Sequence, residues 1–350
     1  MKKISVKASE NYNILIGNKI LSQVGRWTSE IKPNCIAAII SDSNVWPLYG
    51  QVVSKSLQDA GISSKHFIFQ AGEARKNVNT YLEILNFLAE NKVTRSDLII
   101  ALGGGVVGDI TGFVAATYLR GMSYIQIPTS LLAMVDSSVG GKTAIDLPAG
   151  KNLVGAFKQP RLVLCDIDAL RTLPRPLFLD GCAEVIKYAM LYDADLFEIL
   201  FRAGAEFDCE SVIAKCVSLK RDVVQEDEFD TGSRQMLNFG HTIGHAIELS
   251  SNFQISHGQA VAAGMAIVTK AACVQGICQQ HIYDKLISIL QKFSLPTHTA
   301  FSANELYSFA LADKKRSGNT VNLIVPKDIG NCEIMPIPVS ELANFIKAGL

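Results

Sequence analysis

The first half of the chain alternates short apolar runs with amphipathic stretches. Runs with the length and the isoleucine and valine content of buried strands lie at residues 35–41, 66–69, 97–102, 123–127 and 162–165. Helical periodicity separates several of them, most clearly over residues 45–60 and 78–91. Strands and helices that alternate in this way predict a mostly parallel sheet covered by helices.

The pattern changes after Thr172. Helical periodicity then dominates, at residues 181–191, 196–203, 210–225, 241–250, 258–276 and 283–293. The one clear strand signal of this half is residues 320–325, which Pro326 ends. We therefore predict two domains: an α/β domain with a parallel sheet at residues 1–172, and a mostly α-helical domain at residues 173–350.

The composition is typical of a well-packed globular protein. Of 350 residues, 48% are hydrophobic and 19% are charged, whereas about 25% charged residues are usual. At roughly 150 residues per domain, this length accommodates two domains. The 33 basic residues balance the 33 acidic ones, so no net charge attracts nucleic acid or an acidic membrane. An anionic ligand must therefore be bound by a local cluster of cations.

The sequence favours a cytoplasmic protein. No apolar stretch typical of an export signal follows the first lysines. The longest charge-free stretch of the apolar middle, residues 121–135, is too short and too polar to span a bilayer. The eight cysteines are scattered without a CxxC pair, which predicts reduced, buried thiols and no disulfide framework.

A glycine-rich motif follows the predicted strand at residues 97–102. Gly103 to Asp109 reads GGGVVGD, which matches GxGxxG and opens a predicted helix. Such glycines let the backbone approach a phosphate group, although they also suit a tight turn between strand and helix. No acidic residue follows about 20 positions later, where the ribose of a dinucleotide usually finds one; Asp42, at the end of an earlier strand, is better placed. A dinucleotide would bind here in a variant arrangement of a Rossmann-like domain.

Three of the six histidines lie close together in the second half. His241 and His245 are four residues apart and share one face of a predicted helix, and His257 begins the next helix. Two histidines from adjacent helices and one carboxylate would form an open zinc site. Glu184 is the candidate carboxylate, because its burial in an otherwise apolar helix is costly without a partner. A structural ion pair with Lys187 is the alternative for Glu184, and hydrogen-bonded core residues are the alternative for the histidines.

Several basic residues are embedded among apolar or glycine-rich neighbours. They are Arg120, Lys142, Lys151, Lys187, Lys220, Arg234 and the run Asp313-Lys314-Lys315-Arg316. Several cations around one anion suit a phosphorylated substrate. A solvated surface is an equally natural interpretation of residues 313–316, whereas the surroundings of Lys142 and Lys151 favour a site.

Together these motifs resemble those of the 3-dehydroquinate synthase family. The matching segments are GGGVVGD from Gly103, GFVAATYLR from Gly112, IPTSLLAMVDSSVGGKTAIDLPAGKNLVGAF from Ile127, GCAEVIKY from Gly181, LNFGHTIGHAIE from Leu237, HGQAVAAGM from His257 and the late DKK. The resemblance runs with little interruption from about Asp42 to Lys315, and its long central block is highly specific.

The resemblance implies an enzyme that converts 3-deoxy-D-arabino-heptulosonate 7-phosphate to 3-dehydroquinate and phosphate in the shikimate pathway. The family's reaction combines transient oxidation by NAD, β-elimination of phosphate, re-reduction, ring opening and an intramolecular aldol step. It implies bound NAD and a divalent metal, zinc or cobalt. It also implies a cytoplasmic homodimer of the lyase class, with no nucleic-acid or membrane partner.

Matching the motifs residue by residue assigns expected roles. The metal ligands fall on Glu184, His241 and His257. The NAD contacts fall on Asp42, Gly72, Glu73, Lys76, Gly105, Val106, Val107, Gly108, Asp109, Thr129, Ser130, Lys142, Lys151, Leu170, Arg171 and Thr172. The catalytic and substrate-pocket residues fall on Arg120, Asp136, Lys142, Lys151, Asn152, Lys187, Lys220, Arg234, Asn238, His245, Lys314 and Lys315. Arg120 resembles an arginine that reaches the neighbouring subunit's phosphate site, and His245 is the candidate for proton handling.

A few positions depart from the family pattern. Ser130 replaces a common threonine, Gln259 replaces a common glutamate, Asp230 replaces a glutamate, and residues 74–75 vary. None of these changes removes an expected metal ligand or phosphate-binding cation. The expected reaction is therefore unchanged.

Three alternatives remain open. A sister sugar phosphate cyclase would act on sedoheptulose 7-phosphate or glucose 6-phosphate; Lys220, Arg234 and Asn238 fit the dehydroquinate pattern better. A metal-dependent polyol dehydrogenase would release NADH, and the lysines of the central block argue against it. An inactive NAD-binding module would not need the intact metal ligands.

Overall fold

The computed structural model describes residues 1–310, 316, 317 and 319–350. The chain divides into two compact units. The first comprises Met1–Pro174 and Cys209–Phe229, and the second comprises Arg175–Asp208 and Asp230–Leu350. Of the predicted cationic run, residues 313–315 and the side chain of Arg316 lie outside the described part of the chain.

The first unit is built on a seven-stranded sheet. Its strands are β1 (Lys2–Val6), β2 (Tyr12–Gly17), β3 (Ile36–Asp42), β4 (Ser63–Phe69), β5 (Leu98–Gly103), β6 (Ser123–Pro128) and β9 (Leu162–Asp166). Their order is β1-β2-β9-β6-β5-β3-β4, and every neighbouring pair is parallel except β1 and β2. A separate antiparallel hairpin consists of β7 (Lys142–Leu147) and β8 (Gly150–Phe157). The predicted mostly parallel sheet is confirmed.

Helices cover both faces of this sheet. They are α1 (Val24–Ile31), α2 (Trp46–Asp59), α3 (Val78–Glu90), α4 (Gly105–Thr117) and α7 (Cys209–Glu226). Successive side chains of a strand point to opposite faces. Ile100 of β5 therefore packs in the core that contains Val53 and Leu57 of α2, whereas Ile99 packs in the core that contains Val107 and Ile110 of α4.

Helix α7 belongs to the first unit, although its sequence lies beyond the predicted domain boundary. Its buried residues include Val212, Ile213 and Val217, and the helix packs against β1 and β2. The second unit is therefore not the continuous segment 173–350 that the sequence suggests. Periodicity shows which face of a helix is apolar, but it does not show which sheet covers that face.

The second unit is mostly helical. Its elements are α5 (Arg175–Tyr192), α6 (Ala194–Ala203), α8 (His241–Ser250), α9 (His257–Val274), α10 (Gln280–Lys292), α11 (Ala303–Ala310), β10 (Arg316–Ser317), β11 (Thr320–Asp328), β12 (Asn331–Pro338) and α12 (Val339–Gly349). The strands β10, β11 and β12 form a small antiparallel sheet. The sequence does not predict β12, because this edge strand is largely exposed or half-exposed and contains Pro336 and Pro338.

The eight cysteines, all in the described part of the chain, are free thiols. Five of them are buried, as the sequence predicts, whereas Cys209, Cys273 and Cys332 are half-buried. Among the described helices we find none with the length and apolarity that a membrane crossing requires.

Asp97 links the starts of β3 and β5 and provides a test of the fold. Its carboxylate accepts hydrogen bonds from the backbone N–H of Ile36 at 2.7 Å and of Thr94 at 2.7 Å. Partial burial by itself raises the pKa of Asp97, but these hydrogen bonds lower it below its usual value. The carboxylate therefore stabilises the fold above its unfolded-state pKa of about 3.9, and this stabilisation is lost as the pH falls through the lower folded-state pKa.

We expect Asp97→Asn to lower the free energy of unfolding at pH 7 by about 1.5–3 kcal/mol, because hydrogen bonds to a charged acceptor are lost. The difference from the wild type shrinks below about pH 4, where the wild-type carboxyl becomes protonated. Urea unfolding at both pH values measures the change. Asp59→Asn, at an exposed carboxylate that pairs with Lys55, is the control. A difference that does not depend on pH would contradict the assigned role.

Candidate functional site

The packing of α8 against α9 determines where the clustered histidines lie. Gly240 precedes α8 with φ of +75°, a left-handed conformation that glycine adopts without strain. A Cβ on Gly240 would lie 2.7 Å from the carbonyl oxygen of Val261, and a Cβ on Gly264 would lie 2.1 Å from the carbonyl oxygen of Gly240. The glycines let the two helices approach closely, which brings His241 next to His257.

Glu184, His241 and His257 form a cluster of possible metal ligands. The Nε2 atom of His241 lies 3.5 Å, and that of His257 3.4 Å, from Oε1 of Glu184. One donor atom from each residue lies within 4.8 Å of the others. Two imidazoles and one carboxylate are a donor set of catalytic zinc sites. Glu184 is completely buried, and a buried carboxylate requires cationic partners, so these residues fit a divalent metal.

Hydrogen bonds orient both rings of the cluster. Nδ1 of His241 lies 3.0 Å from the carbonyl oxygen of Phe239. Nδ1 of His257 lies 3.2 Å from Oε2 of Glu248. When Nδ1 keeps its proton and donates it in a hydrogen bond to such an acceptor, the lone pair lies on Nε2, the nitrogen that faces Glu184.

Two carboxylates raise the pKa of His257. Burial by itself lowers this pKa, but the hydrogen bonds and charges of Glu184 and Glu248 raise it to about 10. Without a metal, the ring is therefore protonated at neutral pH. Metal binding at this cluster must displace a proton from Nε2.

Lys187 contacts the same carboxylate. Its Nζ lies 2.5 Å from Oε2 of Glu184, and its side chain is 1% exposed. The structure thus contains both arrangements that the sequence left open for Glu184, the ion pair and the histidine contacts. Lys187 uses Oε2 whereas the histidines face Oε1, so the two arrangements do not exclude each other.

Three further residues that were expected in the substrate pocket lie in the second unit, close in sequence to His241. The ring of His245 lies 5.4 Å from that of His241 and 5.9 Å from that of His257, measured between centroids. Arg234 is buried and Asn238 is half-buried in the 3-10 turn Ser233–Asn238, shortly before α8. The sequence therefore places a cation, an amide and a third imidazole around the start of α8.

In the first unit, the residues expected to contact NAD follow the carboxyl ends of parallel strands. Asp42 ends β3, and the segments at 72–76, 105–109, 129–130 and 170–172 follow β4, β5, β6 and β9. These five strands are consecutive neighbours in the sheet, so their carboxyl ends share one edge. Open α/β sheets bind dinucleotides at this edge.

The glycines of the GGGVVGD loop divide into two groups. A Cβ on Gly103 would lie 2.5 Å from Cγ2 of Val107, and a Cβ on Gly108 would lie 2.9 Å from Oε1 of Gln126, so both are needed for packing. A Cβ on Gly104 would have no neighbour closer than 3.5 Å. Close packing therefore explains Gly103 and Gly108 but not Gly104, which lies beside the first N–H groups of α4. That position fits a phosphate group.

Lys76 is a buried cation that joins three of the expected segments. Its Nζ lies 2.5 Å from Oδ2 of Asp109 and 2.6 Å from Oδ1 of Asn152. Burial by itself lowers the pKa of Lys76, but the negative charges of Asp109 and Glu73 raise it above its usual value. Nζ of Lys151 lies 3.6 Å from Oε1 of Glu73. These contacts hold together residues that are distant in sequence.

Asp136 and Lys220 also meet within the first unit. Nζ of Lys220 lies 2.6 Å from the carbonyl oxygen and 2.8 Å from Oδ1 of Asp136. Asp136 belongs to the π-helical turn Ala133–Ser137, a geometry that is frequent at functional sites. The sequence predicted both residues for the substrate pocket but not their contact.

Arg120 lies on an exposed turn with an unusual backbone. The φ angles are +50° at Leu119, +65° at Arg120 and +124° at Gly121. The guanidinium of Arg95 donates hydrogen bonds of 2.9 and 2.8 Å to the carbonyl oxygen of Leu119. Left-handed non-glycine residues that are held in place in this way cluster at functional sites.

Two further expected residues of the first unit, Asp42 and Lys142, lie at strand ends. Oδ1 of Asp42 accepts hydrogen bonds from the backbone N–H groups of Asn44 and Val45 at 2.8 and 2.9 Å, so one carboxylate oxygen organises the start of α2. Lys142 is exposed at the first position of β7.

Two carboxylates of the second unit are missed by the sequence arguments. Glu248 lies against His257, and Asp180 contacts the start of α9 through the hydroxyl of Ser256 and, at 3.0 Å, the backbone N–H of Gln259. A signal existed for Glu248, since it lies three residues after His245 on one helical face. No local signal existed for Asp180, because its partners are more than 70 positions away.

Comparison with known proteins shows similarity across both units. The model of the 3-dehydroquinate synthase N-terminal family matches residues 66–180, and that of the C-terminal family matches residues 181–316. A 3-dehydroquinate synthase of Streptococcus suis is 45% identical over 344 residues, which cover 96% of this chain and 97% of that protein.

Two solved structures have the same fold. A 2-deoxy-scyllo-inosose synthase complexed with carbaglucose-6-phosphate, NAD+ and Co2+ has a TM-score of 0.89 at 26% identity, with 100% of both chains covered. A 2-epi-5-epi-valiolone synthase from Streptomyces hygroscopicus with NAD+ and Zn2+ bound has a TM-score of 0.89 at 23% identity, with 98% of both chains covered.

Proposed function

The chain belongs to the 3-dehydroquinate synthase family, and we propose that the residues described above carry out the reaction of this family. The reaction converts 3-deoxy-D-arabino-heptulosonate 7-phosphate to 3-dehydroquinate and phosphate, which makes the chain a carbon–oxygen lyase of the shikimate pathway. The observation that carries the proposal is the buried Glu184 carboxylate, whose Oε1 lies within 3.5 Å of the Nε2 atoms of His241 and His257.

Glu184, His241 and His257 hold the divalent metal, zinc or cobalt. The two solved synthases contain NAD+ together with Co2+ or Zn2+, which supports NAD and a divalent metal as the cofactors here. When bound, the metal supplies a Lewis acid for the substrate hydroxyls, and NAD supplies reversible hydride transfer. The hydrogen bonds that the rings donate to the carbonyl oxygen of Phe239 and the carboxylate of Glu248 keep the two imidazoles in orientation for ligation.

The first unit binds NAD at the carboxyl edge of its sheet. The backbone N–H groups of residues 105–109 would bind the pyrophosphate, and the oxygen of Asp42 that is not used at the start of α2 would accept a hydrogen bond from the ribose. Further contacts come from residues that follow neighbouring strands: Gly72, Glu73, Lys76, Thr129, Ser130, Leu170, Arg171 and Thr172. Binding by several rigid strand ends orients the cofactor.

Cationic side chains bind the two acidic groups of the substrate. Lys142 and Lys151, both accessible in the first unit, bind the phosphate and stabilise the charge that develops as it leaves. Arg234, Lys220 and Asn238 recognise the carboxylate, with Asp136 keeping Lys220 in place. Lys187 and Asn152 complete the set of positioning groups. His245 moves a proton with water, since its ring lies one helical turn after His241.

The enzymatic test is phosphate release from 3-deoxy-D-arabino-heptulosonate 7-phosphate with catalytic NAD and zinc. We expect one phosphate per substrate, 3-dehydroquinate as the product identified by NMR, and no net NADH. Release only from sedoheptulose 7-phosphate would indicate a sister cyclase. Net NADH formation from a polyol would indicate a dehydrogenase.

We further propose that the enzyme works as a cytoplasmic homodimer in which Arg120 serves the partner's phosphate site. The exposed, strained turn at Leu119–Gly121 supports this role. We expect Arg120→Ala and His241→Ala to be inactive alone. Mixed dimers should regain activity, because each contains one site with both an intact arginine and an intact metal cluster.

Subunit exchange between the two variants, followed by isolation of the mixed dimer, checks this prediction. The control is the same procedure with Arg120→Ala alone, which creates no intact site. Activity that is not recovered in verified mixed dimers would contradict a site shared between subunits.

A further inference from the structure

His257 belongs to two groups of possible metal ligands. One group contains Glu184 and His241, and the other contains His245 and Glu248; in each, the donor atoms lie within 4.8 Å of one another. In a neutral imidazole one ring nitrogen carries the proton and the other carries the lone pair that can bind a metal. A hydrogen-bond acceptor beside one nitrogen keeps the proton there and leaves the lone pair on the other. The position of one proton on His257 therefore determines which group offers a complete ligand set.

Glu248 is placed to keep that proton on Nδ1 of His257 by accepting a hydrogen bond from it. It is 2% exposed, and its Oε2 lies 3.2 Å from Nδ1 of His257. Its carbonyl oxygen accepts hydrogen bonds from the backbone N–H of Phe253 at 2.8 Å and the hydroxyl of Ser251 at 2.9 Å. Both of these residues lie in the connection between α8 and α9. Glu248 thus contacts the His257 ring with its side chain and the loop that leads to His257 with its backbone.

We propose that Glu248 is a positioning residue: it accepts a hydrogen bond from Nδ1–H of His257 and thereby directs the lone pair of Nε2 toward the metal beside Glu184 and His241. This inference rests on the proposed function, because it requires a metal at that cluster. Glu248 does not ligate the metal. An imidazole whose Nδ1–H donates to an acceptor oxygen at a fixed position is held in one tautomer and one ring orientation, which increases metal affinity.

The position of the acceptor and its charge can be separated by substitution. Glu248→Gln keeps an oxygen at the same distance from the backbone but removes the negative charge. Glu248→Asp keeps the charge but withdraws the oxygen by one methylene. If hydrogen-bond position is what matters, Glu248→Gln retains most of the metal affinity, and Glu248→Asp loses about 10–100-fold. Glu248→Leu, which has no acceptor, loses at least as much as Glu248→Asp.

The measurement is the zinc dissociation constant of each metal-free protein, obtained by competition with a chromophoric chelator. Glu198→Gln, at a half-exposed carboxylate of α6 that pairs with Lys285, is the matched control and leaves the constant unchanged. Urea unfolding of the metal-free variants identifies any that fail to fold. If Glu248→Leu does not fold, the comparison of Glu248→Gln with Glu248→Asp still decides the test.

A second readout reports the ring itself. In the zinc-loaded protein with 15N-labelled histidine, NMR should show a hydrogen-bonded Nδ1 proton on His257 in the wild type and in Glu248→Gln. The same signal should be lost or shifted upfield in Glu248→Asp and Glu248→Leu. A residue that merely stabilised the fold would not move this signal in a folded variant.

The outcomes are distinct. Equal zinc affinity in all variants, or weaker binding in Glu248→Gln than in Glu248→Asp, overturns the proposal. If the zinc affinities follow the expected order but the wild type, loaded with zinc and NAD, forms no 3-dehydroquinate, the proposed function fails and the role of Glu248 stands. A wild-type chain that binds no zinc overturns both.

Discussion

Replacing His241 by alanine is expected to abolish zinc binding and to lower kcat/KM for phosphate release about a thousandfold or more. The change removes one of the two Nε2 atoms that lie beside Oε1 of Glu184. Only Glu184 and His257 would remain, whereas catalytic zinc sites use three protein ligands. The expected loss in kcat/KM has this size because Lewis-acid catalysis lowers the activation free energy by several kcal/mol, and each ~1.4 kcal/mol changes a rate tenfold.

Zinc content after gel filtration and steady-state phosphate release measure the two effects. The control is His281→Ala, the same change at an exposed histidine of α10 in the same unit. His281→Ala should bind zinc and turn over like the wild type. Full zinc occupancy in His241→Ala would remove His241 from the ligand set, even if activity were lost.

Replacing Lys151 by alanine is expected to lower kcat for phosphate release by about 100–1000-fold, because a charge that stabilises the leaving phosphate is removed. Folding should be almost unaffected. The Lys151 side chain is 26% exposed, and its ion pair with Glu73 spans 3.6 Å at the surface of the first unit. Such a pair contributes about 0–1 kcal/mol to stability.

Single-turnover phosphate release and urea unfolding distinguish these two effects. Lys55→Ala, at an exposed lysine of α2 that pairs with Asp59, is the control for the loss of one surface cation. Turnover at the wild-type rate in Lys151→Ala would reject a role in phosphate elimination. A large loss of stability would instead show that the cation is structural.

The sheet of the first unit was largely predictable because buried parallel strands are continuous apolar runs. The predicted strand at residues 35–41 corresponds to β3 at Ile36–Asp42, and the run at residues 97–102 corresponds to β5 at Leu98–Gly103. Strand β8 was not predicted. Its residues are mostly exposed or half-exposed and begin with Gly150, so no apolar run marks it.

The candidate site was predictable where its residues share one helix or one strand end. His241 and His245 lie one turn apart on α8, so spacing alone puts them on one face. The contact between Lys220 and Asp136 was not predictable, since 84 positions separate the two residues. No local pattern states which strand or turn a helix such as α7 will contact.

By itself, the sequence determined the α/β class, the glycine-rich loop after β5, the histidine pair on α8 and, through its motifs, the family. Each of these depends on periodicity or spacing within a short segment. Only the tertiary structure decided that α7 packs in the first unit, that Glu184 lies beside His241 and His257, and that Glu248 holds the ring of His257. Those contacts depend on how closely whole elements approach, and at α8 and α9 that approach is set by glycines whose contacts the linear pattern does not reveal.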